Sequence, residues 1–233
     1  MAGEEIAQRL AAVNVRITAA AERVGRDPAT VRLVAVSKKV APQRLAQAVA
    51  AGQRRFGENY LQEATTKMAQ LDPEHGLEWH FIGHLQSNKA KTAATSFGMV
   101  ETVDRLKLAQ GLAQHAAAAG RVLPVLVQVN VGGEAQKAGV RPEESGELLR
   151  ALDDLPALRV MGLMTMPPWG HEAEASRPFF RKLRQLSHAM VEEGLLGQHG
   201  PVELSMGMSG DFEVAVEEGA TLVRVGSAIF GPR

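Results

Sequence analysis

The stretch Arg32-Leu-Val-Ala-Val-Ser-Lys-Lys39 is a short apolar run that ends in two lysines, and Ala41-Pro42 then opens a helical pattern. Both faces of the run are apolar, which predicts a strand buried on both sides, as in a parallel sheet. Lys38 then lies at the carboxyl end of a strand, where parallel α/β folds collect their ligand-binding residues. By position alone, a solvated lysine at a strand end is the simpler interpretation. The alternative is an amine placed to react with a bound aldehyde.

The same alternation of strand and helix continues along the chain. The predicted strands are 32–37, 54–57, 79–83, 97–102, 123–129, 158–164, 202–205 and 222–225. The predicted helices are 42–51, 59–70, 86–95, one from the cap Asp104 to Ala119, 142–152, 175–193 and 210–218, with a last turn at 228–230. Eight such units of about 25 residues predict a single (β/α)₈ TIM barrel. An open doubly wound sheet gives no reason for the number eight, and its G-x-G-x-x-G pattern is absent.

An amphipathic helix precedes the first strand. Its apolar residues recur at helical spacing, namely Ile6, Leu10, Val13, Ile17 and Val24. Gly25 and Asp27-Pro28 are typical of a helix end. We therefore expect one domain over residues 1–233, with an extra N-terminal helix within 1–27 and the barrel over 30–233.

Composition excludes several classes of function. The 233 residues contain 26 Lys+Arg and 26 Asp+Glu, and this balance gives no support to general attraction for nucleic acid or anionic membranes. The absence of cysteine excludes disulfides and thiolate chemistry. The acidic N-terminus lacks a signal core, and no apolar run approaches the ~20 residues of a membrane span. A cytoplasmic protein is expected.

Two glycine- and hydroxyl-rich loops follow the last two strands. These loops are Ser205-Met-Gly-Met-Ser-Gly210, which runs into a helix, and Gly226-Ser227. Free backbone N–H groups at such a turn bind anions, and barrels commonly hold a phosphate between the loops after strands seven and eight. Ordinary turns and helix caps are the alternative for either loop taken alone.

Arg224 lies within the apolar eighth strand, two residues before the second loop. A charge in a barrel strand needs a partner, so one interpretation is a buried salt bridge to Asp211 or Glu203. The other is a donor aimed at a ring nitrogen or an acid group of a ligand. An amine, an anion site and an arginine together fit pyridoxal 5′-phosphate (PLP), a phosphorylated aldehyde with an aromatic nitrogen. The first two features also fit a Schiff-base aldolase acting on a sugar phosphate.

His80 and His84 have the spacing of a helical metal pair, but they fall on a predicted strand and its end. The spacing therefore does not bring them to one helical face, and no carboxylate partner is evident from the sequence. We expect no metal site.

Five motifs occur in order over nearly the whole chain. They are Ala35-Val-Ser-Lys38, Phe56-Gly-Glu-Asn59-Tyr60, Trp79-His-Phe-Ile-Gly-His84-Leu-Gln86-Ser-Asn88-Lys89, Ser205-Met-Gly-Met-Ser209 and Arg224-Val-Gly226-Ser227. With these motifs the chain resembles the pyridoxal phosphate homeostasis protein family. That resemblance implies a barrel similar to the N-terminal domain of alanine racemase, with PLP held covalently on Lys38.

The resemblance also implies phosphate contacts from the two loops and Arg224 near the pyridine nitrogen. The expected cofactor-binding residues are Lys38, Asn59, His84, Ser205, Met206, Gly207, Ser209, Arg224, Gly226 and Ser227. The sequence departs from the family pattern at Lys39-Val40, where a polar residue followed by a second lysine is expected. This departure leaves open which lysine acts as a secondary PLP acceptor.

The family implies control of the free PLP pool without established turnover, so storage and delivery of PLP is the favoured function. The chain ends at Arg233, soon after strand eight, which predicts no second domain and a monomer. Its single tyrosine, Tyr60, leaves a two-base racemase without an obvious second base. A weak PLP-dependent amino-acid racemase and a Schiff-base lyase remain the alternatives. Delivery implies transient contact with PLP-dependent apo-enzymes.

Overall fold

The computed structural model describes residues 2–71, 76–134, 136–168 and 172–232. Eight parallel strands form a closed barrel in chain order. They are β1 (Arg32–Val36), β2 (Arg55–Glu58), β3 (Glu78–Phe81), β4 (Met99–Val103), β5 (Leu123–Gln128), β6 (Leu158–Met164), β7 (Glu203–Ser205) and β8 (Leu222–Val225). β8 pairs with β1 and closes the sheet, with Arg224 opposite Val34.

Helices form a layer around the barrel. They are α1 (Ala2–Arg23), α2 (Pro42–Ala50), α3 (Leu61–Gln70), α4 (Ala90–Ser96), α5 (Leu106–Ala118), α6 (Ser145–Asp153), α7 (Arg177–Glu192), α8 (Phe212–Glu217) and α9 (Ser227–Phe230). The main apolar core lies between this layer and the strands. The predicted (β/α)₈ barrel with an extra N-terminal helix is confirmed. None of the helices in the described ranges is both long and apolar enough to cross a membrane.

Several element boundaries differ from the predicted ones. β2 ends one residue later, at Glu58, and β4 begins two residues later, at Met99. α5 is preceded by Arg105 rather than by Asp104 in the capping position. The Asp104 carboxylate pairs with the Arg105 guanidinium instead of with the helix backbone. Such side-chain competition is invisible to a pattern of apolar spacing, which therefore places helix ends only approximately.

The N-terminal helix α1 packs against α2, α8 and α9, the three helices that flank the junction of β8 with β1. The eighth unit ends in α9, which is a single turn, so α1 supplies the long helix that this side of the barrel otherwise lacks. Its buried stripe follows the predicted one from Ile6 to Ile17, but the inclusion of Val24 was wrong, because Val24 lies beyond the end of α1 and is 46% exposed. Arg16 adds an ion pair to Glu213 of α8 at 2.7 Å.

A hydrogen-bonded chain of polar side chains crosses the barrel interior. The Arg224 guanidinium donates to Ser205 Oγ (2.6 Å), and the Ser205 hydroxyl donates to Glu101 Oε2 (2.5 Å). His80 contacts Glu101 Oε1 through Nδ1 (2.6 Å) and Glu78 Oε1 through Nε2 (3.1 Å). The expectation that His80 lacks a carboxylate partner was wrong, because the partners come from neighbouring strand positions that point into the same interior.

Charges along this chain stabilise one another. Burial opposes protonation of His80, but hydrogen bonds to Glu101 and Glu78 outweigh it and raise the pKa of His80 to about 9. The hydrogen bond to His80 in turn lowers the pKa of Glu78 to about 2. Burial also lowers the pKa of Arg224, an effect that the charge of Glu101 opposes. Below the pKa of His80, two cations therefore alternate with two carboxylates inside the barrel.

We predict that the protein loses stability as the pH rises from about 6.5 to about 9. The folded pKa of His80, about 9, exceeds its ordinary value of 6.5, so the stabilisation is complete below the lower value and is lost through the higher one. The shift corresponds to roughly 3 kcal/mol in the free energy of unfolding. Urea unfolding between pH 6 and 9.5 measures this slope.

His80→Gln removes the titrating group and should flatten the stability profile over that pH interval. His188→Gln, at an exposed histidine of α7, serves as the control and should keep the wild-type slope. Parallel profiles for wild type and His80→Gln would contradict the assignment.

Candidate functional site

A pocket of about 570 Å³ opens at the end of the barrel where the strands terminate. Its walls come from loops after several different strands, as expected of a parallel barrel. The lining residues are Val36, Lys38, Asn59, Ile82, Met166, Pro168, Ser176, Met208, Ser209, Gly210, Asp211, Arg224, Gly226 and Ser227. Six of the residues singled out from the sequence therefore share this pocket: Lys38, Asn59, Ser209, Arg224, Gly226 and Ser227.

Ser209 joins the two glycine-rich loops. Its hydroxyl oxygen accepts hydrogen bonds from the backbone N–H groups of Gly226 (3.1 Å) and Ala228 (3.4 Å). The loop after β7 is thereby held against the loop after β8, as their adjacent strands predict. Both loops line the pocket, and their hydroxyl and backbone N–H groups are of the kind that binds a phosphate group.

The Asp211 side chain stabilises the loop after β7 by hydrogen bonds. One carboxylate oxygen accepts the backbone N–H of Met208 (2.7 Å), and the other accepts the hydroxyl of Ser176 (2.9 Å). Both oxygens are thus used to hold the loop and to attach it to the segment before α7. Ser176 carried no sequence signal as a pocket residue, whereas Asp211 directly follows the predicted loop.

Ser205, Met206 and Gly207 lie outside the set of residues that line the pocket. Ser205 is buried in the interior chain, and the Met206 side chain belongs to the apolar core. Gly207 has a φ of 89°, and a Cβ there would lie 2.5 Å from that of Ala215 on α8. These three residues therefore shape and support the loop, and direct contact between any of them and a ligand stays a prediction.

His84 is exposed and is likewise outside the pocket wall. Close packing explains why the preceding residue, Gly83, is a glycine, since a Cβ at this position would lie 2.2 Å from the backbone oxygen of Asn59. Gly83 thus lets the β3 loop approach the segment that carries Asn59. The buried side-chain oxygen of Asn59 has no hydrogen-bond partner among the described residues, and it lies on the pocket wall.

Arg224 lies between the interior chain and the pocket. Besides Ser205, its guanidinium donates to the backbone oxygen of Thr165 (2.8 Å). In the described part of the chain it forms no ion pair with Asp211 or Glu203, the two partners that the sequence suggested. Glu203 instead pairs with Arg32, which lies at the start of β1 and therefore at the end of that strand far from Lys38. Arg224 is therefore held by neutral acceptors while it also lines the pocket.

The arrangement brings a primary amine, two glycine- and hydroxyl-rich loops and a buried guanidinium to one small pocket. Lys38 reaches it from β1, Ser209 from the loop after β7, and Arg224 from β8. Within the described ranges there is no group of three or more His, Asp or Glu side chains that would hold a metal ion. Such a set of groups is suited to the reversible reaction of an amine with a carbonyl compound that carries an anionic group.

Comparison with known proteins places this geometry in a family. Residues 9–233 match the family described as alanine racemase, N-terminal domain. The pyridoxal phosphate homeostasis protein of Pseudomonas aeruginosa is 48% identical over 228 residues, covering 98% of this chain and 96% of that protein. The protein of the same name from Escherichia coli K12 is 44% identical, covering 98% of this chain and 97% of the relative.

Solved structures agree with the barrel assignment. PipY of Synechococcus elongatus, solved with PLP bound, is 37% identical and superposes with a TM-score of 0.83, covering 97% of this chain and 100% of PipY. Alanine racemase from Corynebacterium glutamicum shares the fold at a TM-score of 0.71 and 18% identity, and this chain spans 61% of its length. The chain belongs to the pyridoxal phosphate homeostasis protein family.

Proposed function

We propose that this protein binds PLP in the pocket, holds it as a Schiff base on Lys38, and acts in cytoplasmic PLP storage and delivery. The observation that carries the proposal is the shared pocket of Lys38, Ser209 and Arg224. The names of the relatives and the PLP bound to PipY support it. A pocket of about 570 Å³ also suits a small phosphorylated cofactor.

The residues present fit PLP at each polar position. The Ser209 hydroxyl and the Ser227 backbone suit the phosphate, while the Gly226 N–H holds Ser209 in place, and Arg224 suits the pyridine nitrogen. The buried Asn59 oxygen without a partner among the described residues suits a hydroxyl or imine donor on the ring side. These pairings use the unsatisfied or pocket-facing groups of this chain and require no residue to leave the core.

Lys38 is the covalent attachment point in this proposal. Bound PLP supplies an aldehyde that reacts reversibly with amines and a ring that withdraws electrons. Lys38 would hold the cofactor through its Nζ as a reversible imine, whose formation would release the carbonyl oxygen as water. Water or another amine reverses the same step, so Lys38 works as a reversible tether.

Arg224 favours holding over turnover. Arg224 would hold the pyridine nitrogen by donating a hydrogen bond to it, and its positive charge would disfavour protonation of the ring. A ring without that proton is a weaker electron sink for carbanion chemistry. Tyr60, the single tyrosine, is 52% exposed and outside the pocket wall, which leaves a racemase without a placed second base. A weak PLP-dependent racemase is the second candidate, supported by the shared fold alone.

We predict that borohydride reduction of the PLP-loaded protein fixes one PLP on Lys38. Lys38→Ala should abolish the borohydride-fixed adduct and the imine absorbance band, because the attacking amine is gone. Peptide mapping by mass spectrometry after reduction locates the adduct.

Lys39→Asn is the matched control for Lys38→Ala, since it removes the neighbouring, exposed lysine and suits a left-handed backbone. It should label like the wild type. An undiminished adduct in Lys38→Ala would show that the attachment site is wrong, and loss in Lys39→Asn alone would move it to Lys39.

Ser209→Ala should weaken PLP binding about tenfold, because a hydrogen bond to a charged phosphate contributes about 1.5 kcal/mol or more. Ser187→Ala removes a serine hydroxyl on α7 that donates to the backbone oxygen of Arg184, and it serves as the control. Equal affinities for the two variants in equilibrium dialysis would exclude Ser209 from the phosphate site.

A delivery role predicts that loaded protein transfers PLP to a PLP-dependent apo-enzyme faster than PLP dissociates into buffer. Recovery of apo-enzyme activity and the spontaneous release rate are measured side by side. Equal rates would contradict delivery. Robust racemisation in a chiral assay across amino acids would favour the racemase instead.

A further inference from the structure

A largely buried charged cluster is hydrogen-bonded to the turn that carries Lys38, and it consists of Glu58, Glu63 and Lys67. Lys67 comes from α3 and is only 3% exposed. Its ammonium donates to Glu58 Oε1 (2.7 Å), to Glu63 Oε1 (2.5 Å) and to the backbone oxygen of Ser37 (2.6 Å). All three protons of the ammonium are therefore used, and one of them holds the residue that precedes Lys38.

The cluster grips the chain on both sides of Lys38. On the N-terminal side, the Ser37 hydroxyl donates to Glu58 Oε1 (2.7 Å). On the C-terminal side, the Lys39 backbone N–H donates to Glu63 Oε1. The single Oε1 atoms of Glu58 and Glu63 thus each join Lys67 to one neighbour of Lys38. The backbone that carries Lys38 is fixed by the same three side chains.

The grip coincides with backbone strain. Lys39 has a φ of 59°, in the left-handed region that a residue with a side chain adopts at a cost of order 1 kcal/mol. The hydrogen bond from its N–H to Glu63 holds that conformation. A strained conformation persists only where surrounding contacts determine it, and such positions concentrate at functional sites.

Stability alone is a weak reason for this cluster. Burying an ammonium and a carboxylate is costly, and apolar residues of similar volume stabilise a core as well or better. Glu58 is buried, and its Oε2 has no hydrogen-bond partner within the described ranges. Burial raises the pKa of Glu58, while hydrogen bonds from Lys67 and Ser37 oppose that shift. A role in orienting Lys38 would explain why these charged groups are buried in spite of that cost in free energy.

We propose that Lys67, Glu58 and Glu63 are positioning residues that hold the Ser37–Lys39 turn so that the Lys38 amine meets a bound aldehyde. This inference rests on the proposed function, since it concerns the same imine-forming lysine. It adds three residues that are not among those lining the pocket.

The first test replaces the ammonium. Lys67→Met removes all three donors while keeping similar length, so we expect imine formation on Lys38 to slow by about tenfold or more. The rate comes from stopped-flow absorbance after mixing with PLP. Affinity for pyridoxine 5′-phosphate, which has the ring and phosphate but no aldehyde, is measured by calorimetry and should stay near the wild-type value.

The second test uses the partly exposed Glu63, whose replacement is the milder change for folding. Glu63→Ala removes the acceptor for the Lys39 N–H and should slow imine formation with unchanged affinity for pyridoxine 5′-phosphate. Glu63→Gln keeps a side-chain oxygen at this position and should restore most of the rate. A merely structural role would not produce this pattern of loss and rescue.

Leu112→Ala is the stability control, because Leu112 is fully buried on α5, which packs on α4 and α6 away from the Lys38 turn. It should lower the unfolding midpoint without slowing imine formation in the folded protein. Wild-type rates in Lys67→Met and Glu63→Ala would overturn the inference. So would parallel losses of rate and pyridoxine 5′-phosphate affinity.

Failure of the proposed function has a different signature. In that case the wild type itself binds no pyridoxine 5′-phosphate and gives no adduct on Lys38, which overturns both proposals. If the wild type binds and labels but the cluster variants label at its rate, only the positioning role is wrong.

Discussion

Closure of the sheet between β8 and β1 is the constraint on which the pocket depends. The pairing of Arg224 with Val34 and of Val225 with Ala35 brings the last strand beside the first. This pairing carries Lys38 to the same pocket as Gly226, although the two residues lie at opposite ends of the chain. In an open sheet the first and last strands of this order would be edges, and Lys38 would not share a pocket with the loop after β8.

The interior of the barrel is polar where it supports the pocket. Arg224 has its guanidinium on Ser205, and Ser205 in turn rests on Glu101 and through it on His80. A buried guanidinium without compensation is costly, and the negative charge of Glu101 opposes the effect of burial on the pKa of Arg224. The apolar interior cluster around Val34 fills the remaining space. The electrostatics of the pocket are thus determined partly by charged side chains of the barrel interior that do not line it.

Lys38 and Arg224 are held in different ways. Arg224 belongs to a strand, so its backbone is fixed by the barrel ladder and its side chain by Ser205 and Thr165. Lys38 follows the end of β1, where ladder pairing stops, and its neighbours are fixed by side chains of β2 and α3 instead. The covalent role that we propose for Lys38 needs a defined direction of approach, and a turn held by charged side chains provides one without a rigid strand.

The sequence by itself was sufficient for the fold class, the number of units, the N-terminal helix and six residues of the pocket. Buried strands have two-sided apolar runs, helices have their own period, and strand ends of a parallel barrel share one face. These are local signals, so Lys38 and the loop containing Ser209 were found without coordinates. Helix starts were placed less well, as at Asp104, because side chains compete for the same caps.

Only the tertiary structure decided which distant side chains touch. His80 finds two carboxylates, and Lys67 becomes buried beneath Lys38, although each appeared in the sequence as an ordinary strand or helix residue. Ser176 joins the pocket, while His84 stays exposed outside it. These outcomes depend on sheet register, barrel closure and the angle at which helices pack. Glu78 and His80 lie two residues apart on one face of β3, but the other contacts join residues whose separation in the chain carries no pattern, so local periodicity does not encode them.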